Sequence, residues 1–182
     1  MELNILTKNS GKQKAAKNVF DRYGIKTVFI EKDYPEIQAD NSLEIARFTA
    51  LQAAKDLNVP VIREDHSFYI NFLKSPGPYT NYMEKVMSAD KILNILKNST
   101  DRSGYFEVAT VYADPSGFIK EYSFQVPVEI DTEEKGSLQK GWSRIIKLAG
   151  NNRTLAEYPE EDRLDVWGKN YEEIAKWLLS KN

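Results

Sequence analysis

The chain has no cysteine and a single histidine, His66, among its 182 residues. Without cysteine there is no disulfide frame, no thiolate zinc site and no cysteine nucleophile. One histidine likewise excludes a histidine-rich metal centre. No apolar run approaches the ~20 residues that a membrane span needs. The N-terminal MELNILTKNSGKQK turns charged too soon for a secretory signal. Excess charge is also missing. The net charge is −2 and no basic stripe stands out, which argues against a nucleic-acid-binding domain. These absences predict a cytoplasmic protein with neither membrane nor nucleic-acid partner. Metal chemistry would fall to carboxylates, which suits magnesium, with manganese as the substitute.

What is present is ordinary for a globular protein: 41 % hydrophobic and 29 % charged residues in one domain's length, 1–182. Residues 2–7 read as a strand. Ser10, followed by Gln13, reads as the cap of a helix over 11–23 that stops at Gly24. KTVFIE, 26–31, is a second strand, and DYPEIQADN, 33–41, a loop. Ser42 starts a helix to Leu57 with Ile45, Phe48, Leu51 and Ala54 as its apolar positions. VIREDHSFYI, 61–70, is a strand, and LKSPGPYT a Pro/Gly turn. Two short helices follow, 79–87 and 88–96, the second capped by Ser88. SGYFEVATVYA, the turn DPSG and FIKEYSFQVPVEI form a hairpin over 103–130, with Pro127 near an edge or end. GWSRIIKL, 141–148, reads as a strand or extended loop. Pro159 opens a short acidic helix, and 170–179 is an amphipathic one carrying Ile174, Trp177 and Leu178. The mixture predicts α/β or α+β.

Three stretches carry candidate chemistry. TKNSGK, 7–12, lies between a strand and a helix, where backbone N–H groups favour an anion. Thr7 and Asn9 add neutral donors and Lys12 a positive charge. The alternative is a capped surface helix with an incidental lysine, since the glycine-rich P-loop pattern is absent. In EDHS, 64–67, two adjacent acids interrupt an apolar strand. Strand alternation sends Glu64 and Asp65 to opposite faces, so both reach one site only if the strand kinks. The alternative is an edge strand using charge against aggregation. Near the C-terminus, Arg144, Lys147, Arg163 and Lys169 are candidates to face an anion, and Trp142 and Trp167 to stack on a base. Core aromatics and solvated charges are the plain alternative.

T-x-N-x-x-K after the first strand, then PEIQ at 35–38, ED-x-S at 64–67, and SPGPYTNYM occur in that order. Together they resemble the inosine-triphosphate pyrophosphatase family, which hydrolyses non-canonical purine nucleoside triphosphates. The resemblance runs well over 1–117 and more weakly beyond. It implies an α/β (mixed α+β) fold, a two-lobed single domain around a long mixed, twisted sheet flanked by helices, with the nucleotide in a cleft between lobes. It also implies a homodimer, Mg²⁺ dependence and release of pyrophosphate. Carried over by position, Thr7, Asn9 and Lys12 hold the triphosphate, joined by Arg163 and Lys169. Glu36 and Asp65 position magnesium, with Glu64 in support. Asp65 and Lys12 are the catalytic pair, Asp65 orienting or deprotonating the water.

The departures are as informative. A lysine common in the family's second helix is Thr49 here. The family's base-stacking segment appears as Lys140-Gly141-Trp142-Ser143, without its acid. Its Ser-His-Arg, which reads the 6-oxo purine edge, aligns with Trp167-Gly168-Lys169. The phosphate and metal half is retained, and the base pocket, formed by Lys140, Trp142, Ser143 and Trp167, is rebuilt. A site that hydrogen-bonds a base rejects analogues strongly, so the accepted base should change. His66 and Ser67 stand beside the acids, and His66 is assigned a local structural role. The expectation is an active pyrophosphohydrolase of altered base specificity; the alternative is a catalytically weak nucleotide-binding or regulatory protein on the same fold.

Overall fold

The computed structural model describes residues 1–181. The fold is mixed α/β, and it divides into two compact units. Unit 1 comprises Met1–His66, Val108–Phe124 and Arg163 onward; unit 2 comprises Ser67–Glu107 and Gln125–Asp162.

Unit 1 is built on a parallel βαβαβ frame. Its strands are β1 (Glu2–Leu6), β2 (Lys26–Ile30) and the first part of β3 (Val61–Ile70). β1 lies between the other two and is parallel to both. Helix α1 (Ser10–Arg22) crosses from β1 to β2, and α2 (Ser42–Leu57) from β2 to β3. Strand alternation then sorts the core. Leu3, Ile5 and Ile62 pack with Ala15, Ala16, Val19 and Phe20 of α1. Leu6 and Val61 pack with Ala46, Ala50, Ala53 and Ala54 of α2. The alanines let α2 lie close to the sheet. Its buried stripe is 45, 46, 49, 50, 53 and 54, so Phe48 and Leu51 of the predicted stripe are only partly covered. A strict three-residue step drifts off a 3.6-residue helix.

Asn9, not Ser10, caps α1. Its side-chain oxygen accepts from the Lys12 N–H at 3.0 Å, while Ser10 is already helical. Gly24 at φ +65° ends the helix, a left-handed backbone that glycine adopts without strain. The hairpin strands are β5 (Ser103–Ala113) and β6 (Ile119–Ile130). Asp114 closes the turn, its Oδ1 accepting from the N–H of Ser116 at 2.8 Å and of Phe118 at 3.2 Å. After a short α5 (Leu164–Trp167), α6 (Lys169–Leu179) buries Tyr171, Ile174, Ala175 and Leu178 against the α1 side.

Unit 2 packs around aromatic residues. The predicted Pro/Gly turn contains β4 (Ser75–Gly77), which pairs antiparallel with Phe68–Ile70 of β3. Helices α3 (Thr80–Val86) and α4 (Ala89–Ile95) follow, and Ser88 caps α4. GWSR, expected to be extended, is a 3-10 turn at Gly141–Arg144 because Trp142 folds inward. It leads to β7 (Ile146–Leu148), which pairs antiparallel with Val128–Ile130 of β6. Pro127 sits at the limit of that pairing, where its missing N–H costs nothing. The acidic segment after Pro159 is a 3-10 turn, Glu160–Arg163. The hydrogen-bonded strand order is β2-β1-β3-β5-β6-β7, with β4 on β3.

Candidate active site

The strand order 2-1-3 reverses direction at β1. Ligands in open α/β sheets bind beyond the carboxyl ends of the strands at such a switch point. Leu6 is paired with Arg63, so β1 stops there and β3 runs on alone through Glu64, Asp65 and His66. The loop leaving β1 is Thr7-Lys8-Asn9, ending at the N-terminus of α1. The segment expected to hold anions and the strand expected to hold acids therefore meet within unit 1.

The loop is internally braced. Buried Thr7 accepts the Asn9 N–H on its Oγ1 at 3.1 Å. Gln13 donates to the Thr7 carbonyl at 3.2 Å. Lys12 reaches from the first turn of α1 to the Glu64 carbonyl, Nζ to O 3.0 Å. Burial lowers the Lys12 pKa below the ordinary lysine value, against the pull of Glu64, Asp65 and Glu36.

β3 runs unbroken from Val61 to Ile70, and strand alternation sends the two acids to opposite faces. Glu64 and His66 follow Ile62 onto the α1 face, and Arg63 and Asp65 follow Val61 onto the α2 face. Glu64 is 2 % exposed, and only its Oε2 accepts a hydrogen bond of regular geometry. His66 Nε2 lies 2.7 Å from Oε1, and Thr110 Oγ1 donates to Oε2 at 3.4 Å. Asn170 continues the network, its Nδ2 donating to Thr110 Oγ1 at 3.1 Å and to the Val108 carbonyl at 2.9 Å. Burial pushes the Glu64 carboxyl up, but the His66 imidazole, Lys12 and the Tyr171 hydroxyl outweigh it and hold the pKa below the usual glutamate range. Tyr171 is raised well above the ordinary tyrosine value, first by burial and then by Glu64.

Asp65 is partly exposed and makes no hydrogen bond or ion pair among the described residues. Glu36 is in the β2–α2 loop, 64 % exposed, with Oε1 3.1 Å from Arg63 Nη2. Among the described residues no three His, Asp or Glu side chains are grouped to hold a metal ion. That donor set fits Mg²⁺, which is held by one or two carboxylates together with substrate phosphates rather than by an all-protein cage. Glu64, expected to assist the metal, instead braces the strand from the opposite face.

The expected base-pocket residues fall in both units. Trp142 belongs to the unit 2 core at 3 % exposure. Its Nε1 donates to the Met87 carbonyl at 2.8 Å, its backbone N–H donates to Glu84 at 3.0 Å, and its ring lies 5.9 Å from Phe68. It has no open face for a base. Lys140 is exposed and Ser143 partly so, both in unit 2. Trp167 is partly exposed in unit 1, its ring centroid 5.6 Å from that of His66. Ser67 is fully buried in unit 2, and Arg163 is buried at the start of the last segment of unit 1. Lys169 is exposed, its Nζ 5.5 Å from the Phe124 ring centroid. Arg63, Thr110, Asn170 and Tyr171 were not singled out from the sequence. Only Arg63 had a legible signal, its even spacing from Asp65.

This parallel frame, with a capped helix start beside the charged end of β3 at the switch point, is a layout in which α/β proteins bind phosphates. A family model described as Ham1 family matches residues 3–177, and the chain belongs to that family. The resemblance carried by T-x-N-x-x-K, PEIQ and ED-x-S thus holds at the level of the family. A dITP/XTP pyrophosphatase of Methanopyrus kandleri is 32 % identical over 180 residues, covering 97 % of this chain and 96 % of the relative. One of Thermococcus kodakarensis is 32 % identical over 181 residues, covering 98 % and 97 %. The Staphylococcus aureus Ham1 protein has the same fold, with TM-score 0.80, 23 % identity and full coverage of both chains.

Proposed function

We propose that the chain is a Mg²⁺-dependent nucleoside-triphosphate pyrophosphohydrolase, cleaving a nucleoside or deoxynucleoside triphosphate to the monophosphate and pyrophosphate. It is a hydrolase acting on acid anhydrides, as its curated relatives are by name. What supports this reading is that the Thr7–Lys12 loop meets β3 at one strand switch point, where Lys12 reaches the Glu64 carbonyl and feels the charge of Asp65. The N-terminus of α1 and Lys12 attract the phosphates. Asp65, which makes no hydrogen bond or ion pair among the described residues, accepts a hydrogen bond from the attacking water and aims it at the α-phosphorus. The water oxygen bonds to that phosphorus while the bond to the bridging oxygen breaks, and pyrophosphate leaves with the bonding electrons. Positioning and charge compensation supply most of the catalysis. Asp65 and Glu36 are the carboxylates that would hold Mg²⁺, which when bound adds positive charge to the phosphate oxygens.

The reading takes residues 1–182 as one inosine-triphosphate-pyrophosphatase-like domain acting in the cytoplasm. Base selectivity differs from that of the relatives, because Trp142 is closed into a core and the aligned base-edge readers are Trp167, Gly168 and Lys169. A homodimer is supported by α3, which buries none of its residues and leaves Tyr82 and Val86 at 63 % and 50 % exposure, with Tyr79 just before it at 48 %.

The test is a panel of nucleoside triphosphates assayed for pyrophosphate with Mg²⁺. Release from at least one, with a preference other than inosine triphosphate, is the expected outcome. Clear preference for inosine triphosphate over all others counts against altered selectivity. Binding without turnover favours a catalytically weak nucleotide-binding protein.

A further inference from the structure

The site as described has one committed cation, Lys12, and its ammonium is tied to the Glu64 carbonyl and lies in the field of three acids. A triphosphate needs more than that. Arg63 stands at the same switch point. Its Nη1 donates to the carbonyl of Leu6 at 3.3 Å, the residue immediately before the Thr7–Lys12 loop. Its Nη2 is 3.1 Å from Glu36 Oε1, and its Nε is buried with no acceptor. A guanidinium N–H left without an acceptor calls for an explanation. The helix that covers this face repeats the signature: Thr49 of α2 is 2 % exposed and its Oγ1 has no partner. Arg63 and Asp65 are two apart on β3 and share that face.

We propose that Arg63 is a phosphate-binding residue of this site, held by Glu36 until a phosphate oxygen takes the carboxylate's place. The inference deepens the pyrophosphatase reading and rests on it for the location of the phosphates. The side chain is 17 % exposed while its partner Glu36 is 64 % exposed, so the acid is the half of the pair that can swing away. A guanidinium keeps its Leu6 anchor through one nitrogen and presents others to a phosphate, which a lysine ammonium does less well. Release of Glu36 also frees a carboxylate beside the incoming phosphates.

The test uses inorganic tripolyphosphate as the probe, titrated calorimetrically into the full chain in metal-free, chelator-containing buffer. Wild type should bind it, and Arg63→Met should weaken binding tenfold or more. Glu36→Gln should tighten it about threefold, and that gain should vanish in the Arg63→Met/Glu36→Gln double variant, which a purely structural Arg63 does not predict. If Arg63→Met fails to fold, Arg63→Lys and Glu36→Gln decide: several-fold loss in the first and a gain in the second support the assignment. No tripolyphosphate binding by wild type overturns it. So does unchanged affinity in a folded Arg63→Met, in Arg63→Lys or in Glu36→Gln, or a Glu36→Gln gain that persists in the double variant. The probe has no base and no α-phosphorus ester. Failure of wild type to release pyrophosphate from nucleotides would therefore sink the pyrophosphatase reading while leaving this result standing.

Discussion

The two halves of strand β3 obey different rules. Val61–His66 belongs to unit 1 and carries four polar residues in a row; Ser67–Ile70 belongs to unit 2 and is almost wholly apolar. In the first half, the buried charges of Glu64 and Lys12 are tolerated because other groups offset them. Glu64 has His66, Thr110 and Tyr171, and Lys12 has a carbonyl. In the second half, Phe68 packs on Phe106 at 4.9 Å and on Trp142 at 5.9 Å between ring centroids. One half gathers charge, and the other supplies apolar cohesion. Charge without such partners would cost several kcal/mol in either place.

That division can be broken from either side. The largest effect belongs to Asp65→Asn, expected to lower kcat by about 10³-fold or more, within the range for a positioned acid–base group. Because Asp65 makes no hydrogen bond or ion pair among the described residues, the variant's urea midpoint should stay close to wild type. A large shift in midpoint would mean that Asp65 is structural. Trp142→Ala should do the reverse. It empties an aromatic site that is 3 % exposed and breaks an indole hydrogen bond, a loss of about 3–5 kcal/mol by urea unfolding. Retention of full stability would show that the core of unit 2 does not depend on it.

The smallest effect concerns acid. Asp131 of unit 2 loses from burial, but the Thr132 N–H, Lys135 and Lys147 more than compensate and set its pKa below the ordinary aspartate value. A carboxyl depressed in the fold contributes stability that is complete above the unfolded value, about 3.9, and is lost as pH falls through the folded one. Asp131→Asn should therefore flatten the stability profile below about pH 4 while leaving the slope near neutrality unchanged. A wild-type slope in the acid range would remove Asp131 from the account.

Much of this was legible in the residues. The strand at 61–70, the 103–130 hairpin, the Gly24 stop and the Ser88 cap follow from local periodicity and turn chemistry. The family could be read from four short motifs in order. The cap of α1 was displaced by one residue because Asn9 and Ser10 are both good caps, and only the backbone chose between them. Trp142 looked like a stacking residue because sequence cannot distinguish an indole that lines a pocket from one that fills a core.

The chain's own order of residues determined that Glu64 and Asp65 face apart, since a strand alternates whatever surrounds it. Tertiary structure decided what each face meets. Tyr171 and Asn170 come from the last helix and Thr110 from the hairpin, and together they turn Glu64 from a candidate ligand into a buried brace. On the other face, the end of β1 beside Arg63 sets an arginine against Glu36 and leaves Asp65 without a hydrogen bond or ion pair among the described residues. Those contacts join residues far apart in the chain, and no local pattern encodes them.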